Sequence, residues 1–291
     1  MILECSLTST IMIPAKMSPA KKATKATINY LGLTDAAFSL RDHAKYYFDS
    51  SLRNRNTRFK HSPAADGLPM PPPHLVYTVT SHFDCEAFYN NGILGANCIR
   101  EVLSKNGLEF STFGRVLDFG CGCGRVIRQW RNQAGPKLYG VDYNPRSVEW
   151  CRDNLTFGDF AVNTSGSPLN FPDGTFDFIY SISVFTHLTE SNQQFWMSEL
   201  TRTLKPGGYL LITVHGSTRL HQLTPEQRDE FEAGRVVVTH SQYSGRNLCA
   251  TYHPDTYVRN VLCRDLTFVA FEPGAARDAN QDIFLLQKPL R

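Results

Sequence analysis

From Arg115 onward, short apolar runs bounded by glycine or turn residues recur along the chain: "RVLDFG", "KLYGVDY", "FAVNT", "FDFIYSI" and "GYLLITVH". Each is too short for a globular helix and reads as a strand buried on both faces. Segments with helical spacing separate them. "RVIRQWRNQ" is a short helix, and "NPRSVEWCRDNL" opens with Asn144 as N-cap and Pro145 in the first turn. "SNQQFWMSELTRTL" is a third helix, closed by Lys205, Pro206, Gly207 and Gly208. Strand and helix in alternation predict an α/β fold with a doubly wound, mostly parallel sheet. The last two runs, "LTFVAF" and "DIFLLQK", are joined by "EPGAARDANQ". That connection leaves no room for a crossover helix, so the two should pair antiparallel at the sheet's end.

Upstream, "DCEAFYNNGILGANCIREVLSKNG" predicts a helix ending at Gly107, with Ile93, Cys98, Ile99, Val102 and Leu103 as its apolar positions. Residues 62–74, "SPAADGLPMPPPH", are rich in proline and glycine and read as a linker before the main domain, 75–291. Residues 28–74 comprise an N-terminal helical element, with Phe38, Leu40, Tyr47 and Phe48 on its apolar side, and that linker. Residues 1–27 read as a mobile basic tail. Within the main domain, residues 216–253 form an insertion: "TPEQRDEFEAG" is a helix, and "RVVVTHSQYSGRNLCATYH" is a hairpin turning at Ser244-Gly245. Insertions beyond the carboxyl ends of parallel strands carry substrate contacts, so this one is expected to act as a lid.

Charge sharpens the division. The net charge of +3 is uneven, because residues 1–60 hold 10 Lys/Arg and 4 Asp/Glu, leaving −3 for the rest. The arm reads as a solvated tail, with electrostatic steering of nucleic acid as the alternative. No apolar run approaches the roughly 20 residues that a spanning helix needs, and Glu4 stands where a signal peptide's basic region belongs. The expectation is a cytoplasmic protein with no membrane partner. The 8 cysteines follow no disulfide framework, and Cys121 and Cys123 read as small fillers of a tight turn rather than metal ligands.

That turn is the centre of the chemistry. "VLDFGCGCGRV" puts Gly120, Gly122 and Gly124 at alternate positions after a strand that contains Asp118. Glycine keeps side chains away from an approaching ligand and accepts backbone angles that other residues resist. The next strand ends at Asp142, placed to accept both hydroxyls of a ribose. A dinucleotide site needs G-x-G-x-x-G; here the third glycine falls one place early, and the strand acid suits a ligand with a cationic amino-acid tail.

These residues resemble the D/E-x-G-x-G-x-G signature of class I S-adenosylmethionine-dependent methyltransferases. "GVDYNPRSVEWCRDN", "FPDGTFDFIYSISVFTHL" and "ELTRTLKPGGYLLIT" resemble that superfamily's following motifs in order, over residues 83–288. The resemblance implies a Rossmann-like sheet of seven strands with the last antiparallel, and S-adenosyl-L-methionine as cofactor. It implies that Gly120, Cys121 and Gly122 run along the methionine part, with Gly124 completing the turn and Asp118 near the amino group. It also implies that Asp142 binds the ribose, Tyr143 flanks the adenine and Ser181 offers its backbone to the methionine end. Ser165 stands where many relatives carry an aspartate for the adenine amine.

Methyl transfer from a sulfonium is an in-line displacement governed by alignment, and a hydroxyl acceptor must also lose its proton. The candidate bases are His187, His215 and His253. Phe83, Phe88 and Tyr89 either fold over the cofactor or pack in the core. The chain lacks the Asn/Asp-Pro-Pro-Tyr/Phe and Pro-Cys motifs of base-modifying enzymes, which disfavours nucleic acid. The expected acceptor is an O or N atom of a small molecule, a sugar or secondary metabolite. RNA or protein methylation, or cofactor binding without transfer, are the alternatives.

Overall fold

The structure is a computed structural model that describes residues 34–61 and 66–290. The basic tail, 1–27, and Phe38's side chain lie outside the described residues. Two compact units divide at Ser50/Ser51. In the first, helix α1 (Thr34–Phe48) forms as expected, but Leu40, Tyr47 and Phe48 are exposed. Helix α2 (Ser50–His61) lies in the second from Ser51 on, with α3 (Pro73–Thr80) and α4 (Cys85–Lys105), followed by the sheet.

Seven strands form one sheet in the order β3-β2-β1-β4-β5-β9-β8. They are β1 (Arg115–Phe119), β2 (Lys137–Asp142), β3 (Gly158–Val162), β4 (Phe176–Ser181), β5 (Leu204–Val214), β8 (Thr267–Ala276) and β9 (Gln281–Gln287). The first five are parallel, and β9 runs antiparallel to both β5 and β8. Helices α5 (Pro145–Asn154) and α6 (Glu190–Thr203) are crossovers, and Asn144 caps α5 through Arg146 N at 3.1 Å. The segment after the glycine turn, expected to be a helix, is only a 3-10 stretch at Ile127–Trp130.

Both faces of the sheet are buried, which explains its continuous apolar runs. Alternate residues go to opposite cores: Val116, Phe178, Tyr180 and Leu285 pack with Ile99, Val102 and Trp130, while Leu117, Ile179, Ile212 and Phe284 pack with Trp196, Met197 and Leu200. The insertion contains α7 (Pro225–Glu232), closed by a Thr224/Gln227 capping box, and the hairpin β6 (Val237–Thr239)/β7 (Ala250–Tyr252). Among the described residues no helix is long and apolar enough to cross a membrane.

Of the expected linker, 62–74, the described residues 66–74 belong to the second compact unit and are held to it by hydrogen bonds. Arg128, with a fully buried side chain, donates to Asp66 Oδ2 (2.7 Å) and Oδ1 (3.1 Å) and to the Leu68 carbonyl (3.2 Å). Asn56 donates to the Phe83 carbonyl (2.6 Å) and accepts from Cys85 N (3.0 Å). The compact unit therefore starts at Ser51 rather than 75. Proline broke the periodicity that sequence reading relies on, while the partners that hold the segment lie some 60 residues away. Removing one member of a buried ion pair strands the other. Arg128→Ala is expected to lower unfolding free energy by about 3–5 kcal/mol, read from the urea midpoint, with Asp66→Ala similarly destabilising.

Candidate functional site

A cleft of about 490 Å³ opens at the carboxyl ends of β1, β2 and β4. Of the residues singled out in the sequence, Asp118, Gly120, Cys121, Gly122, Asp142, Tyr143, Ser165 and His187 line it. Gly124, Ser181, His215 and His253 do not.

All three glycines are left-handed, at φ 82°, 53° and 81°. A Cβ at Gly120 would lie 2.2 Å from Val184, and one at Gly122 would lie 2.5 Å from Val79, both residues of the cleft wall. At Gly124 it would meet Leu155 at 2.4 Å, so this glycine serves packing against α5. The turn's N–H groups are turned inward: Gly120 and Cys121 donate to the Val141 carbonyl (2.8 and 3.0 Å) and Gly122 donates to Asp142 Oδ2 (2.8 Å). Asp142 Oδ1 accepts from Asn144 N at 2.8 Å. Asp142 thus clamps the turn as well as facing the cleft. Burial raises its pKa above the ordinary carboxylate value.

Asp118 is 4 % exposed. Its Oδ2 accepts from the Tyr180 hydroxyl (3.0 Å), which accepts from Trp130 Nε1 (3.1 Å). Burial is the main cause that pushes its pKa up to about 7, against the opposing hydrogen bond from Tyr180. The one cation on the cleft wall among the described residues is Arg125, paired with buried Asp278 at 2.6 Å.

At the β2–β3 end, Ser147 Oγ and Asn163 Oδ1 are buried without hydrogen-bond partners among the described residues, and both residues line the cleft with Tyr143, Pro145 and Val162. Unsatisfied polar atoms beside apolar walls, next to a carboxylate, fit the base and ribose of a nucleoside. Two buried carboxylates at the turn fit a hydroxylated sugar and a cationic tail. Ser147, Asn163 and Thr164 carried no sequence signal beyond their place after β2 and β3.

The histidines differ sharply. His187 Nδ1 bonds the Cys249 carbonyl at 2.7 Å; a carbonyl only accepts, so Nδ1 carries the proton and Nε2 keeps its lone pair. Burial lowers its pKa, which keeps the ring neutral. His215 is 8 % exposed, accepts from Gln281 Nε2 at 3.3 Å, and has its pKa pushed down to about 3 by burial. His253 is 1 % exposed, donates from Nε2 to Gln193 Oε1 at 3.0 Å and is likewise pushed down to about 3. His253 therefore anchors the hairpin's end to α6, because Gln193 in turn donates to the Phe185 and Leu188 carbonyls. Ser181 is fully buried; Ser183, two residues on, lines the cleft instead. Phe83, Phe88 and Tyr89 are core residues, and it is Thr78 and Val79 of α3 that wall the cleft.

Ser244, Gly245 and Asn247 of the insertion line the cleft and bond to two of its walls. Gly245 N donates to the His187 carbonyl (2.6 Å), and Ser244 Oγ accepts from Thr189 N (3.1 Å) and Asn192 Nδ2 (3.0 Å). On the other wall, Asn247 Nδ2 donates to the Thr78 carbonyl (3.2 Å) and Ser81 Oγ (2.9 Å).

A doubly wound sheet with a glycine turn and a buried carboxylate at its switch point is an architecture that binds nucleotides in the crevice there. Residues 117–212 match the family described as methyltransferase domain. The chain is 35% identical over 101 residues (33% of its length) to 2-methyl-6-phytyl-1,4-hydroquinone methyltransferase of Synechocystis. It is 30% identical over 119 residues (38% of its length) to tRNA N(3)-cytidine methyltransferase of Gallus gallus. The matched segments span 30% and 32% of those relatives' own lengths. An S-adenosylmethionine-dependent methyltransferase from Mesorhizobium loti has the same fold, with a TM-score of 0.51 at 14% identity, covering 67% of this chain and 100% of that one. Residues 117–212 therefore form a methyltransferase domain, in agreement with the resemblance of the motifs to class I S-adenosylmethionine-dependent methyltransferases.

An unfolded aspartate titrates near 3.8, whereas folded Asp118 holds its proton to about 7. The folded state binds the extra proton between those values, so without added cofactor this group's contribution to stability falls as pH rises from about 4 to 7. A cofactor ammonium favours the ionised form. S-adenosylmethionine affinity is expected to tighten as pH rises through about 7. Tyr180→Phe, which removes a donor to the carboxylate, should move that midpoint upward, and Asp118→Asn should flatten the profile. Calorimetric titration across neutral pH reads all three.

Proposed function

We propose that this chain transfers a methyl group from S-adenosylmethionine to an O or N atom of a small molecule, with His187 taking the proton. The cofactor supplies an electrophilic methyl on a sulfonium. In this reading Asp142, Ser147 and Asn163 hold the ribose and base, while Asp118, Gly120 and Gly122 hold the methionine end. His187 is the base because it alone of the three histidines lines the cleft, with its proton-free nitrogen oriented by the Cys249 carbonyl.

The strap at 244–247, bonded to both walls, carries the small-molecule reading. A cleft with two walls bonded to one inserted segment suits an acceptor enclosed within it better than a folded macromolecule reaching into it. We read the insertion, accordingly, as a substrate lid. Likeness to a tRNA methyltransferase and the basic arm favour a second reading, methylation of RNA.

Ligand at 100 times its dissociation constant adds about 2.7 kcal/mol to native-state stability. Thermal unfolding is expected to shift upward with S-adenosylmethionine and S-adenosylhomocysteine and not with NAD, and Asp142→Ala should abolish the shift. A shift with NAD, or the absence of a shift with all three ligands, counts against the proposal. Removing residues 1–27 is expected to leave methyl transfer to small acceptors unchanged; loss of activity on bulk RNA in the same variant would favour the second reading.

A further inference from the structure

Beyond β4 the cleft floor is a hydrogen-bond network whose polarity can be worked out donor by donor. Ser183 N donates to Thr213 Oγ1 (2.7 Å), and Thr213 Oγ1 reaches Gln281 Oε1 at 2.6 Å. Gln281 Nε2 lies 2.8 Å from Ser183 Oγ and 3.3 Å from His215 Nε2. A backbone N–H can only donate, so Thr213's oxygen accepts there, and its own proton goes to Gln281 Oε1, the one acceptor it reaches among the described residues. The carboxamide is thereby oriented, its NH₂ serving Ser183 and His215. His215 must be the Nδ1–H tautomer.

Ser183 Oγ, already accepting from Gln281, keeps its proton for another partner. Thr186 Oγ1 at 3.4 Å is a long contact that an acceptor oxygen readily replaces. The backbone of Ser183 is left-handed at φ 61°, a strained conformation for serine that its bonds to Thr213 and Gln281 sustain. It lines the same cleft as His187, four residues on, which presents its free Nε2. A donor and a base thus lie on one wall.

We infer that Ser183, held by Gln281, acts with His187 as a two-point clamp that selects a hydroxyl oxygen over an amine nitrogen as methyl acceptor. This rests on the methyltransferase reading above. An oxygen has a lone pair for the methyl carbon and a second for Ser183's proton. A neutral amine has one, which attack consumes, leaving Ser183 unsatisfied. As the O–C bond forms, the acceptor's proton passes from oxygen to His187 Nε2, and the pair of the methyl–sulfur bond stays on sulfur. Gln281 is a positioning residue, since it touches neither acceptor nor cofactor.

The first test needs no acceptor. NMR of the imidazole nitrogens in the full chain, assigned with single His→Gln variants, is expected to find His215 protonated on Nδ1. Protonation on Nε2 means that the Gln281 amide is reversed and Ser183 donates to it, which overturns the inference. The second test offers phenol and aniline with S-adenosylmethionine. Anisole is the expected product, and Ser183→Ala and Gln281→Leu should each lower kcat/KM for phenol about a hundredfold. N-methylaniline as the main product overturns the clamp. Where neither probe turns over, the tautomer decides. A chain that binds no S-adenosylmethionine by calorimetry refutes the underlying methyltransferase reading, whatever the tautomer.

Discussion

The hydrogen bonds of one buried carboxylate organise the site. Asp142, at the end of β2, takes Gly122 N–H on one oxygen and Asn144 N–H on the other. It therefore ties the turn after β1 to the turn that starts α5. Parallel strands lie side by side but their following loops have no ladder to align them. Here the alignment is supplied by Asp142, and the left-handed glycines let the turn come close enough to accept it. A residue that reads from the sequence as a ribose ligand is equally a structural clamp. The two roles are compatible because each carboxylate oxygen can accept more than one hydrogen bond.

What the sequence made legible was local and periodic. The strand alternation, Asn144 and Pro145 at the start of α5, and the connection too short for a crossover helix each specify an element within a dozen residues, and each corresponds to the observed fold. What it hid was long-range. Arg128 and Asp66 are 62 positions apart, and nothing in "ADGLP" hints that it caps a buried guanidinium. The histidines show the same limit. Their positions along the chain look alike, yet His215 and His253 are enclosed where β7 meets the end of β5 through the bridge between His215 and Tyr252. Ser181 and Ser183 differ by one strand period, but β4 ends at Ser181, so Ser181 points into the core while Ser183 falls beyond the strand at the cleft.

One low-dielectric environment acts on the two kinds of titratable group in opposite senses. It raises Asp118 to about 7 and lowers His187, so that acid and base are both drawn toward their neutral forms. Arg125, the cation on the wall, is matched by Asp278. Asp118 is poised between its neutral and ionised forms near pH 7. A cationic ligand beside Asp118 favours its ionised form. Binding a positive group and releasing a proton from Asp118 then become linked events. The imidazole of His187 has its Nδ1 committed to the Cys249 carbonyl, and its Nε2 faces no protein donor among the described residues. The network beneath, running from Thr213 through Gln281 to Ser183 and His215, is made of neutral groups. Directional hydrogen bonds therefore orient the side chains on this wall of the cleft.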